Sequence, residues 1–192
     1  METTRNKLPM HIESFFQNLR AYIGVPLYYY GSVQRPDFLP SKSDIDVDIF
    51  SNNIKSMVTK LHHYLNRPLS KFHKTVMYMD KRVITGIKVF YKNIDNVGAD
   101  EDDNDDKLDK SRQSFSAEFS IFNLNDKDSI LKHHIRKFDL PYHITLMLMG
   151  IKLFYYQFGI LNKKQYKSFK NIILSTFIGI DPIPFVTIKQ LK

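Results

Sequence analysis

Asp44, Asp46 and Asp48 stand at alternate positions of DIDVDIF, so on a β-strand all three would project from one face, with Ile45, Val47 and Ile49 on the other. Acids at i and i+2 leave the backbone about 7 Å apart, close enough for their carboxylates to converge on hard divalent ions such as magnesium. Two such ions about 4 Å apart can stabilise both the attacking and the leaving oxygen of a displacement at phosphorus, whose barrier is mostly electrostatic. Upstream, the short apolar run VPLYYY ends at Gly31-Ser32. Glycine there would let backbone N–H groups approach a polyphosphate, and the Ser32 hydroxyl adds a donor. A phosphate cradle and a metal-binding strand thus share one stretch, residues 30–47, YGSVQRPDFLPSKSDIDV. The chemistry this suits is attack on the α-phosphate of a nucleoside triphosphate with loss of pyrophosphate.

Those residues need elements to hold them. Residues 9–23 put Ile12, Phe15, Phe16, Leu19 and Ile23 on one helical face, with Pro9 to start the helix and Gly24 to end it. Residues 25–30 read as a buried strand, 33–43 as a loop with two prolines, and 44–50 as the aspartate strand. Ile54, Met57, Val58, Leu61 and Leu65 give a second helix over 53–65, and strands follow at about 71–79 and 82–92. SFSAEFSIF at 114–122 alternates again, setting Phe115, Ala117, Phe119 and Ile121 against Ser116, Glu118 and Ser120. Residues 127–178 read as helical.

Within them the apolar run 142–161 is long enough to span a bilayer, but Lys152 lies at its middle, where a charge costs about 3 kcal/mol. A buried central helix is expected instead, its lysine snorkelling, reaching into a site, or touching a triphosphate from above. The adjacent pairs His62-His63 and His133-His134 point about 100° apart on a helix, so each reads as surface histidines and not as a shared metal site. The Tyr28–Tyr30 and Tyr155-Tyr156 runs could stack on bases, although packing accounts for them.

The chain has 192 residues, 43% of them hydrophobic, which suits a soluble globular domain with at most a small appendage. With no cysteine there are no disulfides or thiolate zinc sites, and the N-terminus lacks the pattern of a secretory signal, so a cytoplasmic or nuclear setting is expected. The net charge is +8, yet residues 100–109 alone carry −6, leaving a strongly basic body that would attract RNA or another polyanion. That acidic stretch, about 95–112, is expected to be a solvated loop.

The segment Tyr30-Gly31-Ser32, eleven residues, then Asp44-Ile45-Asp46-Val47 resembles the signature of the DNA polymerase β-like nucleotidyltransferase superfamily. In local flavour it is most similar to noncanonical poly(A) polymerases and to viral or minimal nucleotidyltransferases. The resemblance covers about residues 27–122 and implies a third carboxylate on a later strand, for which Glu118 is the candidate, while Asp48 is not required. It implies Mg²⁺ or Mn²⁺ held by Asp44, Asp46 and Glu118, and a nucleoside triphosphate held by Gly31, Ser32 and Ser43.

The expected fold is α/β (α+β): a mixed sheet of about five strands with flanking helices on one side, followed by a helical segment. Residues 1–125 would form the catalytic core, and 126–192 the C-terminal helical segment packing on it. The expected activity is transfer of a nucleoside monophosphate, without a template, to the hydroxyl of an RNA 3′ end, a protein or a small molecule. Two other readings stay open: a catalytically silent relative that binds nucleic acid or regulates, and an antitoxin-like protein that modifies or sequesters a partner.

Overall fold

The computed structural model describes residues 1–40, 42–79, 81–93, 114–178 and 186–190. Helix α1 (Met10–Ile23) begins after Pro9 and closes at Gly24, whose φ of 75° is the left-handed conformation that lets its N–H return to the Arg20 carbonyl at 3.0 Å. Strands β1 (Leu27–Tyr30) and β2 (Ile45–Phe50) follow. Helix α2 (Ile54–Leu65) is capped by the Asn53 side chain, which accepts from the Ser56 N–H at 2.9 Å. Next come β3 (Phe72–Met79), β4 (Arg82–Lys92) and β5 (Ser116–Phe122). Helices α3 (Lys127–Ile135), α4 (Tyr142–Tyr156) and α5 (Lys163–Ile178) lead to a last strand, β6 (Val186–Gln190).

One sheet in the order β1-β2-β5-β4-β3-β6 joins all six strands. Only β2 and β5 run parallel; the other neighbours are antiparallel. The expected five core strands are therefore present and the sheet is mixed. The C-terminal segment differs from expectation in one respect: after its helices it returns to the sheet as β6, which pairs with β3. The acidic stretch 95–112 lies outside the described residues.

The alternation in β2 and β5 decides where the core sits. Ile45, Val47, Ile49, Ala117, Phe119 and Ile121 all face α1 and α2 and are buried with Ile12, Phe16, Leu19, Ile23, Met57, Val58, Leu61 and Leu65. The opposite face changes character along its length. At one end Tyr28, Phe50, Met77, Ile84 and Phe122 are buried under Ile130 of α3. At the other, the same strands present Asp46 and Glu118.

The apolar end is tightly filled: a Cβ on Gly86 would lie 2.4 Å from Phe122 Cε1 and 3.1 Å from the Ile121 carbonyl. Gly86→Ala should therefore cost about 1–3 kcal/mol by displacing a fully buried ring. A urea midpoint equal to that of the parent chain would refute this packing.

Helix α4 is not the buried central helix that its composition suggests. Ile144, Thr145, Leu148 and Lys152 form one buried stripe, and Ile144 and Leu148 pack with Ile173 and Leu174 of α5. Leu146, Met147, Leu153 and Phe154 are exposed. An all-round apolar helix has no periodicity from which to read its inner face. No helix among the described residues is long and apolar enough to cross a membrane.

Candidate functional site

The polar end of the sheet is built by register. Tyr30 of β1 is opposite Asp46 of β2, and Asp46 is opposite Glu118 of the parallel β5. Gly31 follows directly on Tyr30 and opens a short 3₁₀ turn, Gly31–Gln34, with φ of 72°. A Cβ at Gly31 would lie 2.0 Å from Asp46 Oδ2, so the carboxylate occupies the space a side chain would need. The turn is fixed from below by Gln34, whose amide donates to the Thr3 and Tyr29 carbonyls at 2.8 and 3.0 Å and accepts from the Arg5 N–H at 3.0 Å.

Ser32, Ser43, Asp44 and Asp46 line a cleft of about 580 Å³, as do Lys152, Lys163, Lys167 and Lys170 and the rings of Tyr155, Tyr156 and Tyr166. The helices α4 and α5 thus face the Gly-Ser turn and the aspartates across one space. Lys163, Lys167 and Lys170 recur at helical spacing, which is why three of them reach the same cleft. Tyr155 and Tyr166 stack with ring centroids 4.7 Å apart.

Asp46 is pushed up to about 7 by burial first and then by the charge of Glu118, against the pull of Lys170 and Lys88. Glu118 is ion-paired with Lys88, and Asp44 accepts from the Ser116 hydroxyl at 2.5 Å. Among the described residues no three histidine, aspartate or glutamate side chains already converge as a ligand set. The donors are nonetheless hard carboxylate oxygens on adjacent strands. Burial and the neighbouring Glu118 both disfavour the charged form of Asp46, and a divalent cation bound there would offset them. The residues fit Mg²⁺ or Mn²⁺, with Asp46 and Glu118 side by side and Asp44 one pleat away.

No model of a protein family matches the chain, and no curated protein matches it. Among solved structures it is similar to a cytoplasmic RNA terminal U-transferase, 14% identical with a TM-score of 0.40, over 80% of this chain and 44% of that one. It is also similar to the Cid1 poly(U) polymerase with MgGTP bound, 16% identical with a TM-score of 0.39, over 76% of this chain and 43% of that one. The same polymerase bound to Mg 3′-dATP gives 16% identity and a TM-score of 0.37, over 76% and 42%. The chain spans less than half the length of each.

Three placements depart from the sequence reading or lay beyond it. Lys152 neither snorkels nor opens freely into the cleft: it is buried, 3.0 Å from Asp37 Oδ2 and 3.3 Å from Ser43 Oγ, with its Nζ also donating to the Asp37 carbonyl. Asp37 in turn takes both Nε and an Nη of Arg35 at 2.7 and 3.0 Å. The loop 33–43 is therefore clamped from inside by two cations and one acid, and Ser43 is held at its end. Burial pushes Asp37 up, but the hydrogen bonds and charges of Arg35 and Lys152 outweigh it and bring it down to about 2.

His134 is the second departure. It is buried, not on the surface, and its Nε2 lies 2.9 Å from Asp48 Oδ2. Asp48 itself is fully buried against α3, and burial raises its pKa although His134 opposes that. The third is Lys137, which no sequence signal singled out. It lines a neighbouring cavity and is brought down to about 8 by burial and by the charges of Lys170 and Arg35.

The depressed Asp37 has a consequence for stability. Its folded pKa lies below the ordinary 3.8, so its contribution is present above about pH 4 and is lost as pH falls towards about 2. The loss should be about 2 kcal/mol over that window. Urea midpoints between these pH values test it, with Lys152→Met as the comparison. With one cation fewer, Asp37 in that variant should titrate closer to its ordinary value, so the acid-side loss should be smaller and complete at a higher pH, and coincident acid limbs would refute the assignment.

Proposed function

We propose that the chain is a metal-dependent nucleotidyltransferase, moving a nucleoside monophosphate from a nucleoside triphosphate to a hydroxyl acceptor without a template. The observation that carries this is the juxtaposition of Asp46 and Glu118 on parallel neighbouring strands, beneath a left-handed Gly31 whose missing Cβ leaves room for the Asp46 carboxylate. Asp44, Asp46 and Glu118 would hold the metal, which when bound supplies charge stabilisation at the phosphate oxygens.

The rest falls to the protein. Ser32 and Ser43 line the cleft where the triphosphate would lie, Gly31 opens the turn that carries Ser32, and Lys163, Lys167 and Lys170 bring positive charge to the same space. Tyr155, Tyr156 and Tyr166 offer a face for the base. The Lys152–Asp37–Arg35 cluster holds the loop that presents Ser43 and Asp44, so Lys152 acts through positioning. The basic surface suits RNA or another polyanion as partner.

The experiment is to incubate the protein with each α-labelled nucleoside triphosphate, Mg²⁺ or Mn²⁺, and RNA, DNA or protein. Label should appear on one acceptor class and vanish in an Asp44→Ala, Asp46→Ala variant; equal label in that variant would refute the assignment.

The Lys88 ion pair that engages Glu118 favours a second reading, a silent relative that binds nucleic acid or regulates without turnover. Metal separates the two. If neither metal with a nucleoside triphosphate shifts the thermal midpoint, and Asp44→Asn leaves binding unchanged, the silent reading stands.

A further inference from the structure

A second cavity, of about 270 Å³, meets the first at Asp46 and Lys170. Glu118, His134 and Lys137 form its polar wall, and Met77 and Leu174 are apolar neighbours. His134 is held there from several sides. Its Nε2 is committed to Asp48, its ring stacks on Tyr30 at 4.0 Å and 17°, and the Tyr30 hydroxyl lies 3.4 Å from Ser120 Oγ. One helical turn earlier, Ile130 is buried in the apolar cluster and pins α3 to the sheet. The imidazole therefore meets the cavity in one orientation, with Nδ1 as the ring nitrogen left for a ligand.

Asp48 makes this arrangement costly. Its Oδ1 is buried without a hydrogen bond among the described residues and its Oδ2 has only the contact with His134 Nε2 at 2.9 Å, and a buried carboxylate with so little compensation opposes folding. Packing alone would be served better by an apolar residue at that position. Arg35, Lys88, Lys137 and Lys170 line the cavity against the two acids Asp46 and Glu118, so cations outnumber carboxylates there, and Asp46 is the acid whose charge reaches both Lys137 and Lys170. Lys137 is lowered first by burial and then by the nearby charges of Lys170 and Arg35, and an anion entering the cavity would offset both.

We propose that this cavity takes the acceptor, a hydroxyl compound bearing a phosphate, as the end of an oligonucleotide or a free nucleotide does. His134, fixed by Asp48, orients it, and Lys137 meets its phosphate. This rests on the nucleotidyltransferase reading, with the triphosphate in the larger cleft and the acceptor hydroxyl approaching from the Glu118 side.

The test uses the full chain with α-labelled nucleoside triphosphate and metal, and varies three acceptors: an RNA tetranucleotide, a nucleoside 5′-monophosphate, and an unphosphorylated serine peptide. Label should enter one or both phosphate-bearing acceptors and not the peptide, and the first two arms say which source of phosphate is used. His134→Gln keeps an amide to face Asp48 but offers nothing at the Nδ1 position. It should raise KM for the acceptor about tenfold, the effect of one lost hydrogen bond, while KM for the triphosphate stays within about twofold. Lys137→Gln, at a half-exposed position, should act in the same direction. Label on the peptide in preference, or a rise in the triphosphate KM instead, overturns the proposal.

Should the parent chain label none of the three, the catalytic reading fails and the cavity is judged by binding. Anisotropy of a 5′-fluorescein RNA tetranucleotide should then show binding that Lys137→Gln weakens about tenfold. No binding by the parent chain, or equal affinity in the variant, would overturn the cavity assignment as well.

Discussion

Gly31→Ala should reduce nucleotidyl transfer by a factor of about 10² or more while leaving the fold in place. The added Cβ would meet Asp46 Oδ2 at 2.0 Å and Cγ at 3.0 Å, so one of the two must move. The backbone on both sides is tied into the β1–β2 register and the Gln34 hydrogen bonds, whereas the carboxylate is the end of a side chain that can rotate. Asp46 moves, and its oxygens leave the place beside Glu118. The loss of stability is then small, about 1 kcal/mol for an alanine held at positive φ plus the rotamer change. Gly24→Ala is the control: its φ of 75° brings a comparable backbone cost, but nothing lies within 4 Å of its Cβ. It should lower the thermal midpoint about as much and transfer label at the parental rate. A Gly31→Ala chain as active as the parent, or a Gly24→Ala chain as inactive as Gly31→Ala, would sever the link between this glycine and Asp46.

The sequence carried the parts of this site whose cause is local. Strict alternation in 44–50 and 114–122 sends Ile45, Val47 and Ile49 one way and the acids the other, because side chains on a strand have a period of two. Pro9 and Gly24 marked the ends of α1 through their own backbone preferences. What stayed hidden depends on pairing between distant residues. Lys152 meets Asp37 across 115 positions of sequence, and no local pattern announces that. Residues 33–43 read only as a loop with two prolines, yet Arg35 and Asp37 within it are buried because each satisfies the other. Asp48 is in phase with Asp46 and so looked equivalent. Two residues further along the same strand the sheet is covered by α3, and the carboxylate meets His134 instead of the cleft. Helix α5 could be phased by its apolar residues, but the lysines on its other face gain meaning only once that face is seen to border Asp44 and Asp46.

Asp37→Ala should be among the most destabilising substitutions in the chain, at about 3–5 kcal/mol, and Lys152→Met should cost much less. The difference follows from charge. Arg35, Asp37 and Lys152 are two cations around one acid, all buried. Removing Lys152 leaves a bidentate Arg35–Asp37 pair that is still neutral and still hydrogen-bonded. Removing the acid leaves two like charges in the interior, and 3–5 kcal/mol is a large share of the 5–15 kcal/mol by which a domain is ordinarily stable. Lys152 offers one escape. Burial already lowers its pKa from 10.5, and without Asp37 it would fall further, so the amine can shed its proton to avoid the penalty. The unfolded chain then binds the proton more tightly than the folded one, and stability rises with pH over the window between the two pKa values. Asp37→Ala should accordingly recover stability as pH is raised from neutrality towards about 10, over a wider window and by more than the parent chain, in which Asp37 limits the lowering of Lys152. Urea unfolding of the three proteins at neutral and alkaline pH measures both effects. The cluster is misassigned if Asp37→Ala lies within about 1 kcal/mol of the parent, or if Lys152→Met proves the worse of the two.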